Sequence, residues 1–170
     1  MTTLGWVLLY LVLQRLGELA YARRNEGRLR AAGAREVGAR HYPLFILLHG
    51  GWLVALAVGV PWNAPASIPL LAFFVVVQGL RYWTLASLGR YWTTRILTVD
   101  GAPLVRRGPY RLLRHPNYLV VVLEIALAPL IFGAWQIAAV FSLLNALLLA
   151  WRIRVESRAL APRRPLANDG

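Results

Sequence analysis

Long apolar stretches alternate with short, arginine-rich stretches along the whole chain. The apolar stretches occupy residues 3–21, 42–60, 67–88, 117–132 and 135–151. Each approaches the ~20 residues that a helix needs to cross the hydrocarbon core of a bilayer. Because they are apolar on every side and too long for strands, they predict helices. The pattern therefore predicts an all-α integral membrane bundle of about five transmembrane helices.

The last two apolar stretches are short, and Phe132-Gly133-Ala134 joins them, so we expect a tight helical hairpin. Residues 117–132 are close to the shortest length that can span a bilayer, so a tilted or partly re-entrant helix is an alternative. We expect one membrane domain over residues 1–170. It comprises a two-helix N-terminal part at 1–66, a core at 67–160 and a frayed tail at 161–170.

The composition agrees with a membrane location. Hydrophobic residues make up 58% of the 170 residues, and the mean hydropathy is +0.53, which soluble chains rarely reach. The chain has no cysteine, which excludes disulfides, thiolate catalysis and cysteine metal sites. All 19 basic residues are arginine, a bias that fits a GC-rich bacterial genome. We therefore expect a protein of the bacterial inner membrane.

The net charge of +12 comes from arginines placed in three of the connections between apolar stretches. These blocks run over 23–40, 81–114 and 152–164, whereas the connections at 61–66 and 132–136 carry no charge. This alternation is the positive-inside pattern, and it predicts an outside N-terminus and a cytoplasmic C-terminus. Because the arginines are not gathered on one folded face, we do not expect nucleic-acid binding.

The segment Gly108–Tyr118 carries the densest polar chemistry of the chain. Its eleven residues include two Tyr, two Arg, a His, an Asn and two Pro. Pro116 fits the first turn of the fourth helix, which places His115 where free amides attract anions and favour a neutral imidazole. A helix cap with interfacial aromatic residues is the alternative. If the cluster is functional, it indicates a site where a water-soluble reagent meets a lipid-soluble one.

A second polar group lies near the end of the fifth apolar stretch. Arg152 and Glu156 are four residues apart, so they share one face of a helix. The expected hairpin returns them to the surface that carries His115 and Tyr118. An acid to hold an ammonium, with donors for a carboxylate and a ribose, fits a nucleotide that bears an amino acid. An ordinary ion pair that finishes the helix is the alternative.

These two groups together carry a family resemblance. The pattern Gly108-x-Tyr110-x-x-x-Arg114-His115-Pro116-x-Tyr118, followed by Arg152-x-x-x-Glu156-x-x-x-Leu160, resembles the isoprenylcysteine carboxyl methyltransferase family. Members are integral membrane enzymes that use S-adenosylmethionine. The resemblance covers about residues 80–160, within the core at 67–160. It implies methyl transfer to a lipophilic acceptor that reaches the enzyme through the membrane lipids, with the active site facing the cytoplasm.

The resemblance also implies roles for particular residues. The cofactor contacts implied by position are Ala102, Pro103, Leu104, Val105, Tyr110, His115, Pro116, Asn117, Tyr118 and Glu156. Arg152 takes the position on the substrate side, and Arg95 lies near a further cofactor-side position. No metal is expected. The oligomeric state stays open.

The methyl acceptor has several candidates. The N-terminal half, with Gln14-Arg15-Leu-Gly-Glu18 and Arg24-Asn25-Glu26, resembles a bacterial branch that methylates hydroxyls of alkylpyrones or alkylresorcinols. O-methylation of such a lipid, or of an isoprenylcysteine-type carboxylate, is therefore expected. The chain also departs from the eukaryotic members, because Ser157 stands where they have a second acid. The alternatives are N-methylation of a phospholipid or amine, a membrane reductase that uses NADPH, and a non-enzymatic lipid-binding subunit.

Polar residues within the apolar stretches form a last group of candidates. Ionisable groups at membrane depth are costly, and Glu124 lies about two turns into the fourth helix. It is either a general base for a phenol or enol, or a structural acid bonded to Arg15, Asn145 or another helix. Arg15 and Glu18 are expected to form an intrahelical pair or a brace. His41 and His49 have no ligand partners nearby, so a structural role is expected.

Overall fold

The computed structural model describes residues 1–39, 42–99 and 105–160. Five helices account for most of this range: α1 (Thr3–Ala31), α2 (Tyr42–Gly59), α3 (Ile68–Leu88), α4 (Pro116–Leu130) and α5 (Trp135–Leu160). Within the described residues, four of them are long and apolar enough to cross a membrane, and α4 is a shorter apolar helix. The predicted all-α membrane bundle is confirmed. The expected tail at 161–170 lies outside the described residues.

The helix boundaries follow local chemistry. The side chain of Thr2 caps α1 by accepting a hydrogen bond of 3.2 Å from the amide of Gly5. Prolines occupy the first turn of both α3 and α4. Amides in a first turn have no acceptor within the helix, so proline costs no hydrogen bond there. Gly133, at φ +71°, turns the chain between α4 and α5.

Two helices run beyond the apolar stretches that predicted them. Helix α1 continues to Ala31 and α5 to Leu160, because their arginine-rich ends contain no proline to stop a helix. Both ends project past the membrane-spanning part of the bundle. They supply side chains to the loops described below.

The core lies where α4 packs between α3 and α5, with α2 against α5. Its largest fully buried apolar side chains are Leu4, Leu11, Trp52, Leu56, Val77, Val120, Ile125 and Ile131. Large apolar side chains elsewhere, such as Val58 and Leu147, point away from the bundle, as a lipid environment requires. The core is therefore an interface between helices.

A short β-ribbon joins two loops at one end of the bundle. Strand β1 (Arg35–Val37) pairs antiparallel with β2 (Ile96–Thr98), and Glu36 lies opposite Leu97. The sequence did not predict this ribbon. Asn25 anchors the neighbouring segment, because its amide donates to the carbonyl oxygens of Gly89 and Trp92 at 3.1 and 2.9 Å. The ribbon and this anchor fix the loop before α4 against the end of α1.

One arginine lies where the sequence did not place it. Arg81 was assigned to the second arginine block, in a connection, but it lies within α3 and only 2% of it is exposed. Carboxylates of α1 and α4 hold it there. The arginine blocks at the ends of α1, α3 and α5 share the end of the bundle that carries the ribbon.

Candidate functional site

A cavity of about 570 Å³ opens at the ribbon end of the bundle. Its volume falls within the range of roughly 300–1,000 Å³ that is usual for sites of small ligands. The side chains that matter to its chemistry come from the loop after α3, the turn before α4, and the facing ends of α4 and α5. They are Tyr91, Trp92, Thr93, Arg95, Val105, Tyr110, Arg114, His115, Asn117, Tyr118, Arg152 and Glu156.

The hydroxyl of Tyr118 connects the two polar groups identified in the sequence. It donates to Oε2 of Glu156 and accepts from Nε of Arg152 at 2.9 Å. Arg152 also donates through Nη2 to the carbonyl oxygen of Thr94 at 2.8 Å, and it lies 5.2 Å above the ring of Phe45. Arg152 and Glu156 are thus linked through Tyr118, which fixes both side chains in the cavity wall.

His115 stacks on Tyr118 beside this cluster. The ring centroids are 5.3 Å apart, and Nδ1 of His115 lies 3.9 Å from Oε2 of Glu156. Burial lowers the pKa of His115 and Arg114 lowers it further, while Glu156 opposes them. The imidazole is therefore neutral at pH 7. Its buried Nε2 has no hydrogen-bond partner within the described residues.

Asn117 offers a second unsatisfied group. Its Oδ1 is buried and finds no partner in the described part of the chain. Buried polar atoms without partners are uncommon, because each loses its bonds to water on folding. Asn117 and His115 both line the cavity. Together they present hydrogen-bonding atoms for a ligand.

The structure brings most of the sequence-derived residues together. Val105, Tyr110, His115, Asn117, Tyr118, Arg152 and Glu156 all line the cavity. Burial, and Glu156 nearby, raise the pKa of Tyr110, so its hydroxyl stays protonated. Pro116 is buried at the start of α4 and does not line the cavity, and Ala102, Pro103 and Leu104 lie outside the described residues.

The loop after α3 forms one wall of the cavity through Trp92, Thr93 and Arg95. The aromatic and apolar residues of this loop predict a folded pocket wall, and Arg95 lies near a cofactor-side position, but the sequence analysis did not single out Thr93. The guanidinium of Arg95 lies 4.3 Å from the ring of Tyr42 and pairs with Glu36 of the ribbon. The run of aromatic and hydroxyl residues after Tyr91 was the signal that could have indicated Thr93.

The electrostatics of the cavity are asymmetric. Five arginines line it: Arg95, Arg106, Arg111, Arg114 and Arg152. Within the described lining, Glu156 is the one acid. Such a surface suits a ligand that carries an anionic group and, at one defined position, a cation.

A second polar cluster lies inside the membrane-spanning part and away from the cavity. Glu124 is fully buried, and its carboxylate accepts from Arg15, from Nη1 of Arg81 at 3.0 Å and from Gln78 at 3.2 Å. Arg81 also donates to both carboxylate oxygens of Glu18. We call Arg15, Glu18, Gln78, Arg81 and Glu124 the intramembrane network. Its two positive and two negative charges balance.

The intramembrane network contains pairs that the sequence suggested. Arg15 contacts Glu18 at 3.2 Å on α1, and it also holds Glu124, as the structural alternative expected. Glu124 does not line the cavity. Nδ1 of His49 donates a hydrogen bond of 2.8 Å to the carbonyl oxygen of Phe45 on its own helix, and His41 lies outside the described residues.

Comparison with known proteins gives one family and two relatives. The isoprenylcysteine carboxyl methyltransferase (ICMT) family matches residues 70–162. YpbQ of Bacillus subtilis, an uncharacterized protein, is 44% identical over 160 residues, which cover 91% of this chain and 95% of YpbQ. An uncharacterized Haemophilus influenzae protein is 24% identical over 153 residues, which cover 86% of this chain and 88% of that protein. No solved structure matches the chain.

Proposed function

Because this chain belongs to the isoprenylcysteine carboxyl methyltransferase family of membrane methyltransferases, we propose that it methylates an oxygen of a lipophilic acceptor with S-adenosylmethionine. The observation that carries the proposal is the bonded group of Tyr118, Arg152 and Glu156, with unsatisfied atoms of His115 and Asn117 beside it. All five line one cavity at the arginine-rich end of the bundle.

The described residues fit the chemical groups of this cofactor. Glu156, the acid of the lining, matches the ammonium of the methionine part, and the neighbouring arginines match its carboxylate. The unsatisfied atoms of His115 and Asn117 match nucleoside hydroxyl and amino groups. The rings of Trp92 and Tyr118 offer faces that attract a sulfonium. Val105, Tyr110 and Pro116 are assigned to the cofactor by family position, as are Ala102–Leu104.

The protein contributes alignment and exclusion of water. When bound, S-adenosylmethionine supplies an electrophilic methyl group: the sulfur–carbon bond breaks as the bond to the acceptor oxygen forms, which leaves an uncharged thioether. Tyr118 holds Arg152 and Glu156 in fixed positions, so the pocket is organised before ligands bind. Arg152, only 8% exposed, is the residue that we assign to the acceptor side.

The acceptor's proton bears on the role of Glu124. A carboxylate acceptor needs no base, whereas a phenol or enol must lose a proton. Glu124 is fully buried outside the cavity, and two guanidinium groups hold its carboxylate. We therefore favour the structural role for Glu124 over that of the general base.

The distribution of charge supports the proposed placement in the cell. The arginine-rich ends of α1, α3 and α5 lie at the end that carries the cavity. By the positive-inside rule this end faces the cytoplasm, where S-adenosylmethionine is available. The proposal is an enzyme of the bacterial inner membrane with a cytoplasmic cofactor site.

Calorimetric binding to the detergent-purified protein tests the site. Glu156→Gln should weaken binding of S-adenosylmethionine by about 10- to 100-fold, the weight of one hydrogen bond to a charged group. Arg154→Gln is the matched control, because Arg154 is exposed on the same helix and does not line the cavity. Unchanged affinity in Glu156→Gln would show that the cofactor binds elsewhere.

Two further ligands separate the competing functions. The five arginines of the lining also suit phosphates, so NADPH is titrated in parallel. Saturable binding of NADPH without binding of S-adenosylmethionine would support the reductase. Transfer of labelled methyl groups to an alkylresorcinol, an isoprenylcysteine analogue or phosphatidylethanolamine then distinguishes oxygen from nitrogen as the acceptor atom.

A further inference from the structure

A second cavity opens on the side of the bundle, between α1 and α3. We call it the lateral groove; its volume is about 470 Å³. It is lined by Tyr10, Leu13, Gln14, Gly17, Glu18, Tyr21, Tyr82 and Leu85. From Tyr10 to Tyr21 it follows α1 for about 17 Å. Because both helices span the membrane, the groove opens toward lipid.

The wall of the lateral groove contains polar groups at membrane depth. The hydroxyls of Tyr10 and Tyr82 lie 3.2 Å apart. Gln14 donates to Tyr10 at 2.9 Å and to Gln78 at 2.7 Å, so its amide nitrogen is used twice. The wall is thus joined to the intramembrane network through Gln78.

One acceptor atom of this wall stays unsatisfied. Only 7% of Gln14 is exposed, and its Oε1 has no hydrogen-bond partner among residues 1–39, 42–99 and 105–160. Lipid tails cannot supply a donor, so an unpaired buried carbonyl there is costly. A hydroxyl group brings the missing donor. The hydroxyl of Tyr10 already donates to Oε1 of Gln78 at 3.1 Å, so Oε1 of Gln14 is the acceptor left for such a group.

One pair of stacked side chains separates the lateral groove from the cofactor cavity. Tyr21 lines the groove and stacks on Trp92, with ring centroids 5.8 Å apart and an interplanar angle of 16°. Trp92 lines the cavity. Leu85 of the groove likewise packs in one cluster with Trp92 and Leu88 of the cavity. The two spaces therefore meet at the Tyr21–Trp92 stack.

We propose that the lateral groove binds a long-chain lipid with a hydroxyl head, a phenol or an alcohol, and that the Tyr21–Trp92 stack is the partition through which this lipid reaches the cofactor cavity. Gln14 accepts the hydrogen bond of the head, and the alkyl chain lies in the surrounding lipid. The second half of the proposal rests on the proposed function, because it makes this lipid the methyl acceptor.

Photolabelling in liposomes tests the groove directly. The probe is a long-chain alkylphenol with a diazirine on the chain carbon next to the ring, and labelled peptides are mapped by mass spectrometry. We expect labels on α1 and α3 near the groove. An unlabelled alkylphenol should compete about five- to tenfold better than an alkylbenzene of equal chain length, the weight of about one hydrogen bond.

Two substitutions on α1 make a matched pair. A Cβ at Gly17 would meet no atom within 4 Å, and Gly17 lines the groove, so Gly17→Trp directs its ring into that space. Leu16→Trp adds the same ring at an adjacent, 58% exposed position that does not line the groove. Labelling should be lost in Gly17→Trp and retained in Leu16→Trp. Gln14→Leu should retain labelling but abolish the preference for the phenol over the alkylbenzene.

The outcomes separate this proposal from the proposed function. Equal competition by phenol and alkylbenzene, or equal labelling of the two tryptophan variants, overturns the groove as a hydroxyl site. S-adenosylmethionine binding is measured on the same samples. If that binding is absent in the wild type while groove labelling holds, the methyltransferase proposal fails and the lipid site stands. If both hold but Gly17→Trp methylates the alkylphenol normally, the route through the Tyr21–Trp92 stack is wrong.

Discussion

The cavity at the ribbon end of the bundle and the intramembrane network are both built from arginine, glutamate and neutral polar residues. They differ in how completely their charged groups are paired. In the network, the carboxylate of Glu124 has three donors and that of Glu18 two arginines. In the cavity, among the residues that the structure describes, Glu156 has one hydrogen-bonded partner, Tyr118, and His115 keeps an unsatisfied nitrogen. The carboxylates of the first cluster are fully paired, even though Nε of Arg15 finds no partner in the described part of the chain, whereas the carboxylate of the second can take a further partner.

The difference teaches which polar residues to assign to function. A buried charge in a membrane protein is often taken as a functional residue. Here the most deeply buried acid is the most fully paired, which is what a structural brace between α1, α3 and α4 requires. The half-buried Glu156, at the cavity edge, retains capacity for a further cation. A carboxylate with incomplete hydrogen bonding indicates the candidate site better than a carboxylate that is deeply buried.

The largest expected loss of stability comes from disrupting the intramembrane network. Glu124→Ala removes a partner of both Arg15 and Arg81 and leaves a buried positive charge uncompensated. Loss of one member of such a buried pair costs about 3–5 kcal/mol of unfolding free energy. Thermal and chemical unfolding of the purified protein in detergent should show the loss.

A balanced double variant controls this prediction. Glu124→Leu with Arg15→Leu removes one charge of each sign and leaves the pair of Arg81 and Glu18. It should recover much of the stability. If Glu124→Ala were as stable as the wild type yet inactive in methyl transfer, Glu124 would be a catalytic base and the contrast between the clusters would fail.

An intermediate effect concerns the pH dependence of the site in the cavity. Burial lowers the pKa of His115, so its charge appears only below the ordinary value near ~6.5. Affinity for S-adenosylmethionine should be constant from pH 8 to about 6.5 and fall by up to about tenfold at lower pH. A protonated imidazole 3.9 Å from Glu156 would compete with the ammonium of the cofactor. Calorimetry across this range measures the fall.

His115→Gln is the control for the fall in S-adenosylmethionine affinity at acidic pH. Glutamine keeps a hydrogen-bonding group but cannot take up a proton in this range. The affinity of this variant should be lower overall and independent of pH between 5 and 8. An unchanged acidic fall in His115→Gln would assign the titration to another group.

The smallest expected effect lies at the ribbon, whose ion pairs are partly exposed. Arg95 and Arg30 hydrogen-bond to Glu36 and, against the opposing effect of desolvation, lower its pKa. Because the folded pKa is lowered, the stabilisation is present at neutral pH and is lost as pH falls below the ordinary value of 4.5. Glu36→Gln should cost less than about 1 kcal/mol at pH 7.

Unfolding at two pH values checks the ribbon. The difference in unfolding free energy between wild type and Glu36→Gln should be measurable at pH 7 and shrink as the pH is lowered below 4.5. A cost comparable with that of Glu124→Ala would show that the ribbon is as strongly coupled to the fold as the network. The expected ranking, with a smaller stability effect at the ribbon than in the network, would then be wrong.

The sequence predicted the site in the cavity better than the intramembrane network for a geometric reason. Helices α4 and α5 are joined by a short turn, so antiparallel packing alone brings Tyr118 near Glu156. The partners of Glu124 come from α1 and α3, far away along the chain. Periodicity places a residue on a face of its helix but does not say which distant helix that face meets. Arg81 was therefore assigned to a connection.

The ribbon could not be predicted at all. Three residues are too few to show a two-residue alternation, and β1 and β2 are separated by two whole helices. The wall formed by Trp92 and Arg95 depends on this pairing and on the anchor from Asn25. Local sequence signals are weak wherever a loop is shaped by contacts that lie far away in the chain.

The position of Glu156 on the last helix has a consequence for how the protein is made. The turns and strands that form the other walls of the cavity precede α5 in the chain, so they leave the ribosome first. Without α5, the bond from Tyr118 to Glu156 cannot exist. The cavity therefore gains Glu156, the one acid of its described lining, only after the final helix has packed beside α4. Its polar wall is complete only when the whole bundle has assembled.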